Sequence, residues 1–170
     1  SGEWPKDKPG LVISFDDGVY NNWKVAAPLL EEFGFCGWFF VPSNWIEQAT
    51  KTRDSLDADP FSDSSHMTWD EVASLCDNHV VGCHTANHYR LVAESSDEKL
   101  REEIIDSKTL MEARLERQID TFCWVGGEEH TYSAHAARLI VEAGYKYSFM
   151  TNVAPILGST DPLQLQRTNI

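Results

Sequence analysis

The chain has 170 residues, 42% of them hydrophobic, with a formal charge of −13 and a pI near 4.7. A chain of that size buries a sizeable core without disulfide or metal staples, so a single domain over 1–170 is expected. Its acidity argues against nucleic acid as a partner, no apolar run reaches the roughly 18 to 20 residues that span a bilayer, and the polar start, SGEWPKDKPG, lacks the apolar stretch of a secretory leader.

Residues 10–15 (GLVISF) form a compact apolar run, as a buried parallel strand does. Trp23, Ala26, Ala27, Leu30 and Phe33 then follow at helical spacing, with Pro28 as an interruption and Gly34 as the stop. FCGWFFV (35–41) reads as the second strand. Residues 46–66 break the rhythm with Ser, Asp and Thr, a long polar excursion of the loop kind. Thr68, with Glu71 three residues on, opens a helix through a capping box.

VVGC (80–83) is the third strand, and residues 96–118 predict one long amphipathic helix with Leu100, Ile104, Met111 and Leu115 on a single face. A fourth strand is expected at 120–125. A helix at 133–143 turns Leu139, Ile140 and Ala143 inward and ends at Gly144. The fifth strand follows at 145–150, and the alternating tail PLQLQRTNI supplies a sixth. Repeated strand–helix–strand order implies parallel strands joined by right-handed crossovers. The class is α/β, either a barrel or a doubly wound sheet.

Cys36, Cys76, Cys83 and Cys123 follow no CxxC spacing and sit in apolar or helix-like runs. Free cysteine packs as a small apolar residue, so all four are expected as reduced core residues. That leans towards a reducing, cytoplasmic compartment.

Two motifs carry chemistry. Ser14-Phe15-Asp16-Asp17-Gly18 closes the first strand, at the end where parallel α/β proteins gather catalytic groups. Adjacent carboxylates are costly there unless a cation sits beside one of them. The plainer alternative is a solvated Asp-Gly turn. His84-Thr85-Ala86-Asn87-His88 closes the third strand. Histidines four apart on one turn can grip one ion, and imidazole suits zinc, cobalt or nickel better than magnesium or calcium. The alternative is two unrelated surface histidines. With Asp17 they make a His₂Asp set that leaves positions open for water and substrate, as catalytic sites require.

SFDDG followed by HTANH resembles the first two signature motifs of the polysaccharide deacetylase family, the NodB-homology or carbohydrate esterase 4 group. The likeness continues through 67–88 and through the strand, Gly loop, helix and AGY segment of 122–149, so it covers 10–167. It implies a distorted (β/α) barrel with fewer than eight strands, incomplete at the C-terminal end. It further implies that Asp17, His84 and His88 bind a divalent transition metal, zinc before cobalt or nickel, that Asp16 is the general base, and that the backbone N–H of Gly126 helps hold the oxyanion. The implied reaction is hydrolysis of the acetamide of an N-acetylated sugar, whether polymer, lipid-linked or a small intermediate. The partner is thus a carbohydrate, and the oligomeric state is left open.

Two departures stand out. The family's third motif often carries an Arg where this chain has Cys123-Trp124-Val125-Gly126-Gly127. Leu165-Gln166-Arg167 resembles a later L-x-R segment that supplies it in some relatives, which implies that Arg167 pairs with Asp16; otherwise Arg167 is a surface residue. The family's final Leu-x-His, donor of the acid, has no match, so either the chain is a shortened form or another group serves. His130 is the first substitute, His66 and His135 weaker ones, and His79 is expected at a helix end.

Trp45 and Trp124 are the candidates for a sugar-stacking platform, ahead of Trp38 and Trp69, with plain core packing as the alternative. Competing functions are hydrolysis of another non-peptide C–N bond, as in ureides, and a non-catalytic metal-containing glycan-binding module. An aspartyl phosphatase fits poorly, because Gly18 stands where such enzymes place a second working Asp.

Overall fold

The computed structural model describes residues 10–53 and 65–169. Six strands, β1 (Ile13–Phe15), β2 (Gly37–Val41), β3 (Val80–Cys83), β4 (Thr121–Cys123), β5 (Tyr147–Met150) and β6 (Leu165–Gln166), form one parallel sheet in the order β1-β2-β3-β4-β5-β6. A doubly wound sheet reverses its strand order part-way; this one never does. Successive right-handed crossovers then put the helices on one face, and the sheet curls into an open, distorted (β/α) barrel of six strands. Although β1 and β6 are opposite edges, the curl lets Arg167, just past β6, donate to Ser14 Oγ of β1 at 3.0 Å.

Side chains alternate across the sheet with a period of two. On β2, Phe39 and Val41 join Val81, Phe122 and Met150 in the outer cluster, which packs on Ile46, Val72, Leu100, Ile104, Met111 and Leu139 of the helices. Trp38 and Phe40 point the other way, into a smaller cluster with Cys123, Phe149 and Leu165 inside the barrel. Most of the apolar burial therefore lies between sheet and helices.

The helices are α1 (Ala27–Glu32), α2 (Ser43–Thr52), α3 (Trp69–Leu75), α4 (Asp97–Arg101), α5 (Ser107–Leu115) and α6 (Ala134–Glu142). The capping box of α3 is formed: Thr68 Oγ accepts from Glu71 N at 3.5 Å, and Glu71 Oε2 accepts from Thr68 N at 2.8 Å. A π-helical turn, Asn22–Ala26, precedes α1, where Pro28 has no N–H to give. Phe33 is 66% exposed rather than inward, because α1 stops at Glu32 and Phe33 leaves the helical phase as its cap.

The run expected at 96–118 is continuous but made of α4, a π-helical turn Glu102–Asp106 and α5. Leu100, Ile104, Met111 and Leu115 are all buried, and the run ends at Leu115 because Glu116 turns left-handed at φ 51°. The first part of the polar excursion is not loop but α2. Its Ile46 is fully buried, while Thr50 and Thr52 donate their hydroxyls to the carbonyls of Ile46 and Gln48, so the polar residues form a solvated helix face. Residues 54–64 of the excursion lie outside the described residues.

All four cysteines are free thiols, but only Cys83 and Cys123 are buried. Cys36 is exposed, since β2 begins one residue later and nothing covers its approach. Among the described residues, no helix is long and apolar enough to cross a membrane.

Candidate active site

The inward parity of the strands builds the site. Ser14, Gly82, Thr121 and Leu165 point into the barrel or stand in register with residues that do, and two positions further along each strand come Asp16, His84, Cys123 and Arg167. The same alternation that packs the core thus delivers four polar groups to the carboxyl end of the barrel.

Asp16 and Arg167 form a two-pronged pair: Nη1 donates to Oδ1 at 2.8 Å and Nη2 to Oδ2 at 2.7 Å. Nη2 also reaches Cys123 Sγ at 2.7 Å, and that thiol lies 3.6 Å from Asp16 Oδ2. Burial pushes the Asp16 carboxyl up, but hydrogen bonds from Arg167 and the field of His84 outweigh it, leaving the group below the ordinary carboxylate range. Burial alone would weaken the charge on Arg167, and the Asp16 carboxylate more than restores it.

Asp17 turns the other way. Its backbone is left-handed at φ 69°, which aims its carboxylate at the histidine loop rather than at Arg167. Oδ1 stands 3.4 Å from His84 Nε2 and 3.1 Å from His88 Nε2. His84 Nδ1 lies 2.9 Å from the carbonyl oxygen of Cys123. A carbonyl only accepts, so Nδ1 carries the proton and Nε2 presents a lone pair to Asp17.

His84 Nε2, His88 Nε2 and Asp17 Oδ1 converge on one point, and with both rings neutral and protonated on Nδ1 three lone pairs meet there, an arrangement that suits a cation. Asp17 Oδ1 is buried and accepts no well-aligned hydrogen bond among the described residues. The ligand atoms of Asp17, His84 and His88 lie within 4.8 Å of one another. A tetrahedron with bonds of about 2.0–2.1 Å has edges of about 3.3–3.4 Å, close to the separations found here. The residues therefore fit a divalent transition metal. Asp16, His84 and Cys123 are also within mutual reach, but Arg167 already supplies the cation there.

The sequence profile of the polysaccharide deacetylase family matches residues 4–148. The chain belongs to that family. No curated protein is significantly similar to it in sequence. Among solved structures it is similar to the deacetylase PplD of Streptococcus pyogenes in complex with acetate, at 19% identity and a TM-score of 0.78, over 94% of this chain and 63% of PplD. The deacetylase domain of BpsB from Bordetella bronchiseptica gives 17% identity and a TM-score of 0.76, over 92% of this chain and 69% of that domain. BA3943 of Bacillus anthracis, described as a pseudoenzyme of the group, gives 12% and 0.63, over 84% of this chain and 43% of that one. The chain thus spans under two thirds of PplD, and these likenesses establish the fold.

The other singled-out residues are dispersed. Gly126 and Gly127 form a left-handed turn after β4, with φ of 79° and 74°. The positive φ disfavours a side chain at either position, and one at Gly127 would also press closely on the backbone of Met150 and Thr151, whereas at Gly126 only the movable Glu128 carboxylate would have to shift. Gly126 N–H donates no hydrogen bond among the described residues.

Trp124 is 2% exposed and donates to Ser148 Oγ; it is core, and the surface ring stacked on it is Tyr132, at 5.4 Å. Trp38 lies inside the barrel and Trp69 is buried. Trp45 is half-buried between His66 and His88, its ring 4.7 and 5.1 Å from theirs. His66 is held there by an antiparallel bridge to Val19, close behind Asp17. His135 pairs with Asp97 on the helix layer, and His79 is buried just after α3. The side chain of His130 lies outside the described residues.

A cavity of about 230 Å³ opens onto Ser14, Asp16, Arg167, Thr168 and Asn169. A larger, open depression of about 550 Å³ lies where α5 and α6 end and holds none of these groups. Sequence reasoning missed Cys123 as a member of the site. Alternation along β4 sets Cys123 on the opposite face from Phe122, but which of the two faces inward needs the strand register.

Proposed function

We propose that the chain is a metal-dependent hydrolase that removes acetyl groups from an N-acetylated sugar, with Asp17, His84 and His88 as metal ligands and Asp16 as base. One observation carries this reading: two adjacent carboxylates take different main partners, Asp16 a guanidinium at 2.7–2.8 Å, with His84 Nε2 farther off at 3.9 Å, and Asp17 two imidazoles at 3.1 and 3.4 Å. A solvated turn has no reason to make that separation, whereas a hydrolase needs one carboxylate spent on a metal and the other free to accept a proton.

A divalent ion held by Asp17, His84 and His88, with zinc favoured and cobalt or nickel as substitutes, supplies Lewis acidity that acidifies a water and polarises the acetamide carbonyl. Arg167 keeps Asp16 ionised beside Asp17 and fixes its plane, leaving lone pairs on both oxygens free to accept a proton. Hydrolysis must carry one proton from the water to the departing amine, and in this reading Asp16 takes it up. The N–H of Gly126, which donates no hydrogen bond among the described residues, is suited to receive developing negative charge on the carbonyl oxygen. The 230 Å³ cavity beside Asp16 has room for one acetamido group and its near surroundings, not for a length of chain. The acetate held by PplD is the product such a reaction releases.

The fold also serves BA3943, a pseudoenzyme, so a glycan-binding module is the competing reading. The intact Asp16–Arg167 pair favours catalysis, because binding alone gives no use for a buried, charge-balanced base. The deciding experiment is acetate release from N-acetylglucosamine oligomers, paired with metal content, for wild type, Asp16→Asn and His84→Ala. One bound metal, lost in His84→Ala, with acetate release lost in both variants, establishes the reading. Bound metal without acetate release from any N-acetyl sugar moves the function to ureide-type bonds or to binding.

A further inference from the structure

The loop that carries the two histidines is strained. Within 84–88, Thr85 and His88 both adopt left-handed backbone, at φ 67° and 54°, which a β-branched residue rarely tolerates. Such a conformation persists only where its surroundings hold it. Two elements do so here. From one side, the first amides of α2 take the loop's carbonyls: Ser43 N donates to Thr85 O at 3.2 Å and Asn44 N to Ala86 O at 2.9 Å. From the other side a single carboxylate takes the loop's amides.

That carboxylate is Glu103. Its Oε2 accepts from the backbone N–H of Ala86 and of Asn87, each at 2.8 Å, and its Oε1 accepts from Asn87 Nδ2 at 2.8 Å. Lys99 Nζ lies 2.7 Å from Oε1. Glu103 is 0% exposed, and all four partners are donors, so only the ionised, acceptor-only form satisfies them. It sits in the π-helical turn Glu102–Asp106 that interrupts the long helix, a feature that recurs at functional sites. Nothing in the proposed chemistry uses this buried acid directly.

We propose that Glu103 is a positioning residue for the metal centre: by holding the amides of Ala86 and Asn87 it fixes the strained turn that sets His84 and His88 at ligand spacing. The inference rests on the metal-site reading above. Buried carboxylates are expensive unless they are paired, and a structural tie between helix and loop could be made with apolar contacts. Here the carboxylate is spent on the two amides that lie between the histidines. Partners of this kind typically change metal affinity by about 10–100-fold when removed.

The test is zinc affinity of the metal-free protein, measured by chelator competition, together with the visible spectrum of the cobalt-loaded protein and the urea midpoint. Glu103→Gln is isosteric, but its amide nitrogen must face Lys99 or Asn87, both donors. The expected result is zinc binding weaker by about tenfold or more, with an altered cobalt spectrum, in a folded protein. Asn87→Ala, which removes the side-chain bond and leaves the backbone, gives a smaller loss and keeps the test open should Glu103→Gln not fold. A lowered urea midpoint with zinc affinity and cobalt spectrum unchanged in both variants overturns the proposal, because that is what a merely structural role produces. Wild type that binds zinc and releases no acetate ends the deacetylase reading and leaves this inference standing. Wild type that binds no zinc overturns both.

Discussion

The two faces of the sheet obey one alternation and do opposite things. Outward residues such as Phe39, Val81 and Phe122 meet a layer of helix side chains and are mostly apolar, Ser148 being a buried exception whose hydroxyl accepts from Trp124 Nε1. Inward residues include the apolar Trp38, Phe40, Phe149 and Leu165 beside Ser14, Gly82 and Thr121, and end in Asp16, His84, Cys123 and Arg167. The difference teaches where stability and chemistry are kept apart. A charge on the outer face would be buried without a partner, whereas the inner face ends in solvent and can carry charges that pair with one another.

The sharpest way to test that division is Asp16→Asn. It keeps shape and volume and removes the proposed proton acceptor, so acetate release should fall by about 10²–10⁴-fold while metal content stays near wild type and the urea midpoint falls only by the loss of the Asp16–Arg167 ion pair. A variant that loses metal or stability in proportion to activity would show that Asp16 is part of the scaffold. The outer-face counterpart is Phe122→Ala. Phe122 is 0% exposed between strands and helices, so its removal should cost about 3–5 kcal/mol in unfolding free energy. The specific activity of the protein that remains folded should be little changed.

Arg167→Met comes next and shifts pH dependence more than it lowers rate. In wild type the folded-state value of Asp16 lies below its unfolded one. The pair therefore stabilises the fold above about pH 4, and that contribution is lost as pH falls through the folded value. Without the guanidinium, burial and the charge of Asp17 push the carboxyl above its unfolded value. The acid limb of kcat/KM should then move to higher pH. An unmoved acid limb would mean that Asp16 does not limit the reaction at low pH.

The outer face was legible in the sequence because periodicity reports burial directly. The positions of Leu100, Ile104, Met111 and Leu115 fixed the helix face, and GLVISF and VVGC marked strands. The inner face was legible only in part. Its charged motifs were visible as DDG and HTxxH, but the parity that joins Cys123 to them needs the strand register. Arg167 and Asp16 are 151 positions apart, and only the curl of the sheet brings them within 2.7 Å. Glu103 read as one more acid on a solvated helix face, since pattern alone does not tell a buried acceptor from an exposed charge. Residues 46–52 read as part of a loop because the helix there is polar on average, its few apolar residues standing among Glu, Gln, Lys and Thr.

Cys123 is the smallest lever and tests how finely the inner face is set. Its thiol is 0% exposed, and burial, then the charge of Asp16, push it well above the ordinary thiol range, so it stays neutral beside the Asp16–Arg167 pair. Two short hydrogen bonds already hold that pair, so the thiol contributes packing and a weak contact. Cys123→Ser, whose C–O bond is shorter, should change acetate release by about twofold to fivefold and leave the acid limb in place. A neutral, buried thiol is also unreactive. Iodoacetamide should label exposed Cys36 in the native protein and reach Cys123 only after unfolding, as mass spectrometry of the digested protein would show. Native labelling of Cys123, with loss of activity at the same rate, would mean that the inner face opens to solvent far more readily than its packing implies.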